Sequence, residues 1–370
     1  VGYHWLLFLA ARAYGGFEGL RPTVPKTRFA VVVPAHDEAA HIGKTLESLA
    51  GLDYPADLRR VTVVADNCTD RTASMVRSSG IRCLERTDPK LRGKGHALEY
   101  AFATVLAEGV DAVVVVDADT RVAPNLLRAM DARLREGQRA VQSLYGVSNP
   151  EDGPLPALLA VGNAMENDLF RGKEALGLPV LLRGNGMCLS AGLLREHPWQ
   201  AHSVVEDTEY GLDLVRAGER VRFAPETRVD ADAPGTLAQL KAQRVRWASG
   251  NSRLGKRLAL TLLATGLRGR DAALADAGWF LLARGKSLLL LGGVLCAAAG
   301  AAGAVPPVAG FAPLALMAAH FLLQALMDGV TWRRLGLLAL APAYLVWLMG
   351  ISLAGLAEYR GAVWVRTGRS

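Results

Sequence analysis

The apolar run Ala112–Val116 ends abruptly in Asp117-Ala118-Asp119. A run of β-branched and small apolar residues with no polar alternation reads as a strand buried on both faces, the kind found inside a parallel α/β sheet. Such a strand must be flanked by other strands and covered above and below by helices. Its end places two carboxylates at the C-terminal mouth of the sheet, where open α/β sheets gather their ligands. Carboxylates one residue apart can reach one divalent cation, which in turn can bridge the phosphates of a nucleotide.

The rest of the N-terminal half repeats this design. Arg28–Val33 is a β-branched run ending at Pro34, followed by Ala35-His36-Asp37-Glu38 and a helix pattern to about Ala50. Arg60–Ala65 leads into Asp66-Asn67-Cys68-Thr69-Asp70 and a helix from about Arg71, and Ile81–Leu84 is a third short strand. Gly93-Lys94-Gly95 opens a helix through Ala107, and Ala112–Val116 is the fourth strand. Strands alternating with helices predict βαβ units and a Rossmann-like, mostly parallel α/β sheet. Beyond Asp119 the alternation loosens. Ala140–Tyr145 and Val180–Leu189 read as strands separated by a helical stretch Leu155–Glu174. Glu206–Ala217 reads as a helix, Val221–Ala224 as a short strand, and Thr236–Leu263 as a long basic amphipathic helix of interfacial type.

Composition shifts sharply in the C-terminal third. Of 370 residues 51% are apolar and 21% charged, yet no charged residue occurs from Ser287 to Met327 or from Leu335 to Ala357. The first stretch is divided by Pro306-Pro307 into halves of about twenty residues, each enough at roughly 1.5 Å per residue to cross a hydrocarbon core of about 30 Å. The apolar start Val1–Ala11 is too short to span and is expected to be part of a transmembrane helix. The expected organisation is a partial transmembrane helix and linker (1–27), a cytosolic catalytic domain (28–235), amphipathic interfacial helices (236–283), transmembrane or re-entrant helices (284–358) and a basic tail (359–370).

Formal net charge is +7. Lys241, Arg244, Arg246, Arg253, Lys256, Arg257, Arg268 and Arg270 lie in one stretch without an acidic residue. Beside apolar segments such a stretch selects membrane lipids rather than nucleic acid, and it orients the chain toward an anionic cytoplasmic leaflet. Arg333, Arg334, Arg360, Arg366 and Arg369 favour the same side, which predicts that Leu335–Ala357 re-enters the membrane rather than crossing it. The predicted location is the bacterial inner (cytoplasmic) membrane. The cysteines Cys68, Cys83, Cys188 and Cys296 form no C-x-x-C pair and no zinc spacing, as expected of reduced thiols.

In chain order the polar clusters are Pro34-Ala35-His36-Asp37-Glu38, Asp66-Asn67-Cys68-Thr69-Asp70, Gly93-Lys94-Gly95, Asp117-Ala118-Asp119, Gly184-Asn185-Gly186, Glu206-Asp207 and Gln243-x-x-Arg246-Trp247. This ordered set, over about Arg28 to Trp247, resembles glycosyltransferase family 2. The flanking apolar segments fit its membrane-bound branch, which includes cellulose, hyaluronan and chitin synthases and ceramide glucosyltransferase.

The resemblance implies a GT-A fold, a nucleotide-sugar donor, Mg2+ or Mn2+, and inversion at the anomeric carbon. Asp119, helped by Asp117, would hold the metal, and Asp117 would also face the ribose or sugar. Pro34, Ala35, Glu38, Asp66, Lys94 and Arg246 complete the expected donor site, with a carboxylate accepting the imide N–H of uracil and so favouring a UDP-sugar. Asp207 is the candidate general base, with Glu206 beside it. His36, His96 and His202 are weaker candidates. The family's Thr-Glu-Asp reads Val205-Glu206-Asp207 here, which leaves a threonine contact in doubt. Gln243, Arg246 and Trp247 share a helix face at i, i+3 and i+4. They join Gly184, Asn185 and Gly186 as expected acceptor contacts, Arg246 reaching the pyrophosphate and Arg244 pointing elsewhere, toward lipid headgroups.

The function these residues predict is a membrane-embedded inverting glycosyltransferase that extends a polysaccharide from a UDP-sugar at the cytoplasmic face. A partner or oligomer would be needed for export. The alternative acceptor is a membrane lipid, and the non-enzyme alternative is an inactive nucleotide- or lipid-binding protein of the same fold. A transporter would need ionisable groups within the spans, where only His320 qualifies.

Overall fold

β4 (Ala112–Val115) is the central element the sequence predicts. Val113 and Val115 enter the apolar layer on one face of the sheet, and Ala112 and Val114, with Val116 just beyond, enter the layer on the other. The structure, a computed structural model, describes residues 1–13, 24–283, 286–327, 336 and 340–357. The basic tail 359–370 and the arginines at 333 and 334 lie outside the described residues.

After helix α1 (Gly2–Ala13) come β1 (Phe29–Ala35), α2 (Ile42–Ala50), β2 (Arg59–Asp66), α3 (Thr72–Ser78), β3 (Arg82–Arg86), α4 (Lys94–Ala107) and β4. Next follow β5 (Thr120–Val122), α5 (Leu126–Arg135), β6 (Ala140–Val147), α6 (Pro154–Ala175), β7 (Met187–Ser190), α7 (Ala191–Glu196), α8 (Glu206–Arg216) and β8 (Val221–Ala231). The strands form one sheet in the order β3-β2-β1-β4-β7-β6-β8-β5, with β3, β2, β1 and β4 mutually parallel and β7 and β5 antiparallel to their neighbours. Both faces of the parallel half are closed. Leu98, Ala101, Phe102 and Val105 of α4 cover one, and Ile42, Leu46 and Leu49 of α2 with Leu126, Leu127 and Met130 cover the other. At about 1.5–3 kcal/mol for each fully buried aliphatic side chain, these layers are the main stabilising contribution.

Two strands differ from expectation. β7 starts at Met187 rather than Val180, because Gly184 (φ +71°) and Gly186 (φ +65°) turn the chain through left-handed conformations no strand contains. β8 runs to Ala231 instead of stopping at Ala224. Its pairing with β6 jumps from Ser143↔Ala224 to Leu144↔Arg228, so Pro225, Glu226 and Thr227 bulge out and the strand resumes. Proline has no N–H to give the ladder, so the pattern breaks there without ending the strand.

The C-terminal part is helical: α9 (Leu237–Gly269), α10 (Ala272–Ala283), α11 (Lys286–Ala301), α12 (Pro307–Met327) and α13 (Ala341–Ala357). A capping box opens α9, with Thr236 Oγ1 accepting from Gln239 N and Thr236 N donating to Gln239 Oε1, both at 3.3 Å. α9 and α10 make a close hairpin in which Gly278 leaves room for the Leu263 backbone. Their apolar face packs through Leu254, Leu262, Phe280 and Leu281 on Val205, Leu212 and Val215 at α8. Gly310 lies against Gly300 where α12 crosses α11. Among the described residues α12 alone is long and apolar enough to cross a membrane by length and composition; α10, α11 and α13 are apolar and shorter. At the other end α1 lies across α6, where Gly172 has no side chain because the Leu7 backbone occupies that space (Cα at 2.8 Å).

Gly186 is the tightest of these approaches near the sheet centre. A Cβ there would meet Ser143 Oγ and come within 2.8 Å of Val229 Cγ2. Gly186→Ala combines a left-handed backbone with overpacking, and is expected to lower stability by about 2–4 kcal/mol. Thermal unfolding of the purified chain measures it; an unchanged midpoint would contradict the packing described.

Candidate active site

β1 and β2 run on together to the pair Ala35 and Ala65, while β4 ends earlier, at Val115 beside Val32, so the Asp117–Asp119 turn leaves the sheet next to the last residues of β1 and the segments that follow the three strands open onto one cleft. At one end of the cleft the β1 and β2 turns interlock. Asp37 (φ 54°) and Asn67 (φ 51°) both hold left-handed backbone, an uncommon state for residues with a side chain. Asp37 Oδ1 accepts from Thr69 N (2.6 Å) and Asp70 N (3.1 Å), which fastens the two turns together. Glu38 donates its N–H to Thr72 Oγ1 at 2.8 Å, and Pro34 and Ala35 are buried in β1 behind it. The His36 ring donates Nδ1–H to the Asp66 carbonyl at 2.7 Å.

Asp66 is fully buried. Arg86 Nη1 donates to its Oδ1 at 2.6 Å, while Oδ2 is buried with no hydrogen-bond partner among the described residues. A buried carboxylate oxygen without a donor is costly, and a base N–H is the kind of group that would satisfy it. The buried strand-end position is what the sequence predicts for Asp66; its charged partner Arg86 is not part of that expectation.

Deeper in the cleft Lys94, the first residue of α4, donates to Asp117 Oδ1 and to the Gly184 carbonyl (2.7 Å). A Cβ on Gly184 would lie 3.1 Å from both Asp207 Oδ2 and Lys94 Nζ, so these groups meet over that glycine. Asp207 Oδ1 accepts from Thr208 N at 2.5 Å, which fixes the carboxylate at the start of α8 with its other oxygen toward Gly184. Asp117, Asp119, Glu206, Asp207 and Lys94 thus form one electrostatic unit. Burial raises the Asp117 carboxyl above its ordinary range, and Asp119 and Asp207 add to this while Lys94 opposes it. Burial, then Asp207, pushes Glu206 up to about 7. Burial acts to lower the Lys94 ammonium, but Asp117, Glu206 and Asp207 outweigh it, so its pKa stays above the usual lysine value.

The lysine therefore faces three carboxyl groups, Asp117, Glu206 and Asp207, with Asp119 beside Asp117. An all-carboxylate donor set of this kind fits a hard divalent cation such as Mg2+ or Mn2+, with Asp117 and Asp119 as the residues to hold it.

Asn185 takes a different place from the acceptor contact expected of it. Its side chain is buried, its Oδ1 accepting from Asp117 N (3.1 Å) and its Nδ2 donating to Thr120 Oγ1 (2.8 Å). Its backbone carbonyl accepts from Gln142 Nε2 at 2.8 Å, and Gln142 Oε1 accepts from Arg183 N at 2.9 Å. Asn185 and Gly186 thus position the Asp117–Asp119 turn from below, and Gly184 faces the cleft. Gln142, Thr120 and Arg183 are absent from the expected site; a glutamine directly after the apolar pair Ala140–Val141 is a signal that could have shown the buried network.

Gln243, Arg246 and Trp247 lie in the first half of α9. One turn after Arg246, a Cβ on Gly250 would lie 2.8–3.0 Å from the side chains of Val204 and Val205, directly before Glu206 and Asp207. α9 therefore runs along the segment that delivers the candidate base. Arg244 corrects an expectation: its guanidinium sits 5.4 Å over the Trp247 ring and is not turned away from it. Residues three apart, like those four apart, lie on the same side of a helix, so Arg244 reaches Trp247.

A family model described as glycosyltransferase-like family 2 matches residues 25–250. The beta-monoglucosyldiacylglycerol synthase of Synechocystis sp. is 29% identical over 62% of this chain and 48% of its own length. The probable glycosyltransferase YdaM of Bacillus subtilis is 25% identical over 67% of this chain and 62% of its own. The chain thus spans about half to three-fifths of the curated relatives it matches. Mannosyltransferase PcManGT from Pyrobaculum calidifontis, solved with GDP-Man and Mn2+, superposes with a TM-score of 0.60 over 96% of this chain and 94% of that chain at 21% identity. At that identity the likeness is one of fold. With its parallel sheet closing on Asp117-Ala118-Asp119 and its match across more than half its length, the chain belongs to glycosyltransferase family 2 and carries the GT-A fold.

Proposed function

We propose that this protein transfers a sugar from a nucleotide-sugar donor to a lipid acceptor at a membrane surface, with inversion at the anomeric carbon. The observation that carries the reading is the meeting of Lys94, Asp117 and Asp207 over Gly184 at the C-terminal edge of the sheet. A UDP-sugar suits the unpartnered Asp66 oxygen, which accepts an imide N–H. Asp117 and Asp119 would hold a divalent cation, which would supply Lewis-acid stabilisation of the departing diphosphate. Lys94 keeps Asp117 in place, and Arg246 adds positive charge for the leaving group. Asp207 accepts the proton of the acceptor hydroxyl as the new C1–O bond forms and the C1–O bond to phosphate breaks, releasing the nucleoside diphosphate.

Two features support a lipid acceptor over a growing polysaccharide. The Synechocystis relative is named for synthesis on diacylglycerol. In addition α12 exposes Val308, Phe311, Leu316, Leu322, Leu323, Leu326 and Met327, an apolar surface that water does not favour and a bilayer does. We place α1 and α11–α13 in or against the membrane on that ground. Polysaccharide extension remains the second reading, carried by Gln243-x-x-Arg246-Trp247.

Incubating the purified chain with radiolabelled UDP-sugars and GDP-mannose, in vesicles containing diacylglycerol, tests the proposal. Label is expected in the organic extract, from a UDP-sugar; label in an aqueous polymer would reverse the acceptor assignment. Asp207→Asn should lower turnover by about 10²–10⁴-fold while calorimetry shows UDP binding unchanged. Full turnover in that variant removes Asp207 as the base. Gly184→Ala is expected to cost at least about tenfold in transfer, with only about 1–2 kcal/mol of stability, because its Cβ would intrude between Asp207 and Lys94. Wild-type rates in Gly184→Ala would show that the two groups do not work across that glycine.

A further inference from the structure

The buried run Val180–Leu182 gives way to a charged residue, Arg183, immediately before the glycine over which Lys94 and Asp207 meet. A guanidinium drawn in from water is costly unless its charge and N–H groups are matched, and here two elements match them. Its Cζ lies 4.6 Å over the Tyr145 ring of β6. From α6, Asn163 Oδ1 accepts from Nη2 (3.2 Å), Asn167 Oδ1 accepts from Nη1 (3.3 Å), and Glu166 Oε2 stands 3.6 Å from Nη2. Asn167 also stitches α6 to β6, donating from Nδ2 to the Tyr145 carbonyl (2.9 Å) and accepting from Tyr145 N (3.3 Å).

The guanidinium is thus set in one orientation without being sealed. Its side chain stays 12% exposed, and among the described residues these hydrogen bonds use two of the five N–H groups an arginine carries. Glu166 balances its charge, and Glu206 and Asp207 add negative charge in the cleft beside it. A phosphorylated acceptor is opposed by that charge. A neutral oxygen acceptor such as an ester carbonyl is not, and a fixed guanidinium fork is suited to it. On a diacylglycerol the free hydroxyl and the nearest ester carbonyl are only a few bonds apart, so a hydroxyl at Asp207 brings a carbonyl toward the residue next to Gly184.

We propose that, given the lipid acceptor put forward above, Arg183 is a specificity-determining residue that donates to an ester carbonyl of a neutral glycerolipid. Tyr145, Asn163 and Asn167 hold the fork in place, and Glu166 keeps the seat neutral. Ether-linked and ester-linked glycerolipids share the hydroxyl and the apolar chains and differ in the carbonyls, so Arg183 sets the choice between them.

The test compares a diacylglycerol with the dialkylglycerol of matched chain length, at equal mole fraction in the same vesicles, with radiolabelled UDP-sugar and the purified full chain. The unaltered chain is expected to favour the diacyl lipid by about tenfold or more in kcat/KM, the worth of one hydrogen bond to a charged group. Arg183→Met keeps the apolar stem without the N–H groups and should bring that ratio to within about threefold of unity. Loss of a strut alone lowers both lipids alike, so the ratio separates reading from bracing. Thermal melts and UDP calorimetry check that the variant folds and binds donor. If it does not fold, Arg183→Lys serves, since it keeps the charge, loses the fork and should lower the ratio by at least about threefold. Equal use of the two lipids by the unaltered chain, or a full preference in a folded variant, overturns the role of Arg183 and leaves the lipid acceptor standing. Label in an aqueous polymer with neither lipid labelled overturns both.

Discussion

The Lys94 ammonium, shared between the Asp117 carboxylate and the Gly184 carbonyl, is the interaction on which the cleft is organised. It joins three parts of the chain distant in sequence: the start of α4, the end of β4 and the glycine turn before β7. Without it, Asp117 would lose its ammonium partner while still facing the negative charge of Asp119 and Asp207. The lysine is in turn held by its helix, which begins where the Gly95 backbone meets Ala201. Charge and close backbone packing therefore support one another at the same point.

The parallel half of the fold was readable because its strands are buried on both faces. Val113–Val116, Val31–Val33 and Val63–Val64 have no polar positions to confuse the period, and the helices between them are of ordinary length. The carboxylates at the strand ends were readable for the same reason, since a buried run can end in acids only where the chain reaches a mouth. Legibility fell where local geometry overrode composition. The apolar residues Val180–Leu182 look like the start of a strand, but two left-handed glycines redirect the chain before β7 forms. Pro225 interrupts the pattern of β8, yet the strand continues beyond its bulge. β5, at three residues, is too short to show a period at all.

Within the site, single acidic and basic residues were legible and their supports were not. Asn185 stands between two glycines and so reads as an open loop residue. Its burial beneath Asp117 depends on Gln142 and Thr120, which come from two other strands. Arg86 likewise lies on β3 without any motif, although it is the partner of Asp66. Hydrogen-bond partners recruited across a sheet leave no regular spacing in a sequence.

α9 is a single helix of 33 residues, with Gln243, Arg246 and Trp247 near its beginning and the α10 hairpin at its far end. No loop interrupts it, so the chemistry and the apolar helices are coupled in angle as well as in distance. Each residue added or removed between Arg246 and Leu254 would swing one end by about 100° relative to the other. The length of that interval is consequently a phase constraint: the chain can vary its side chains there, but not their number.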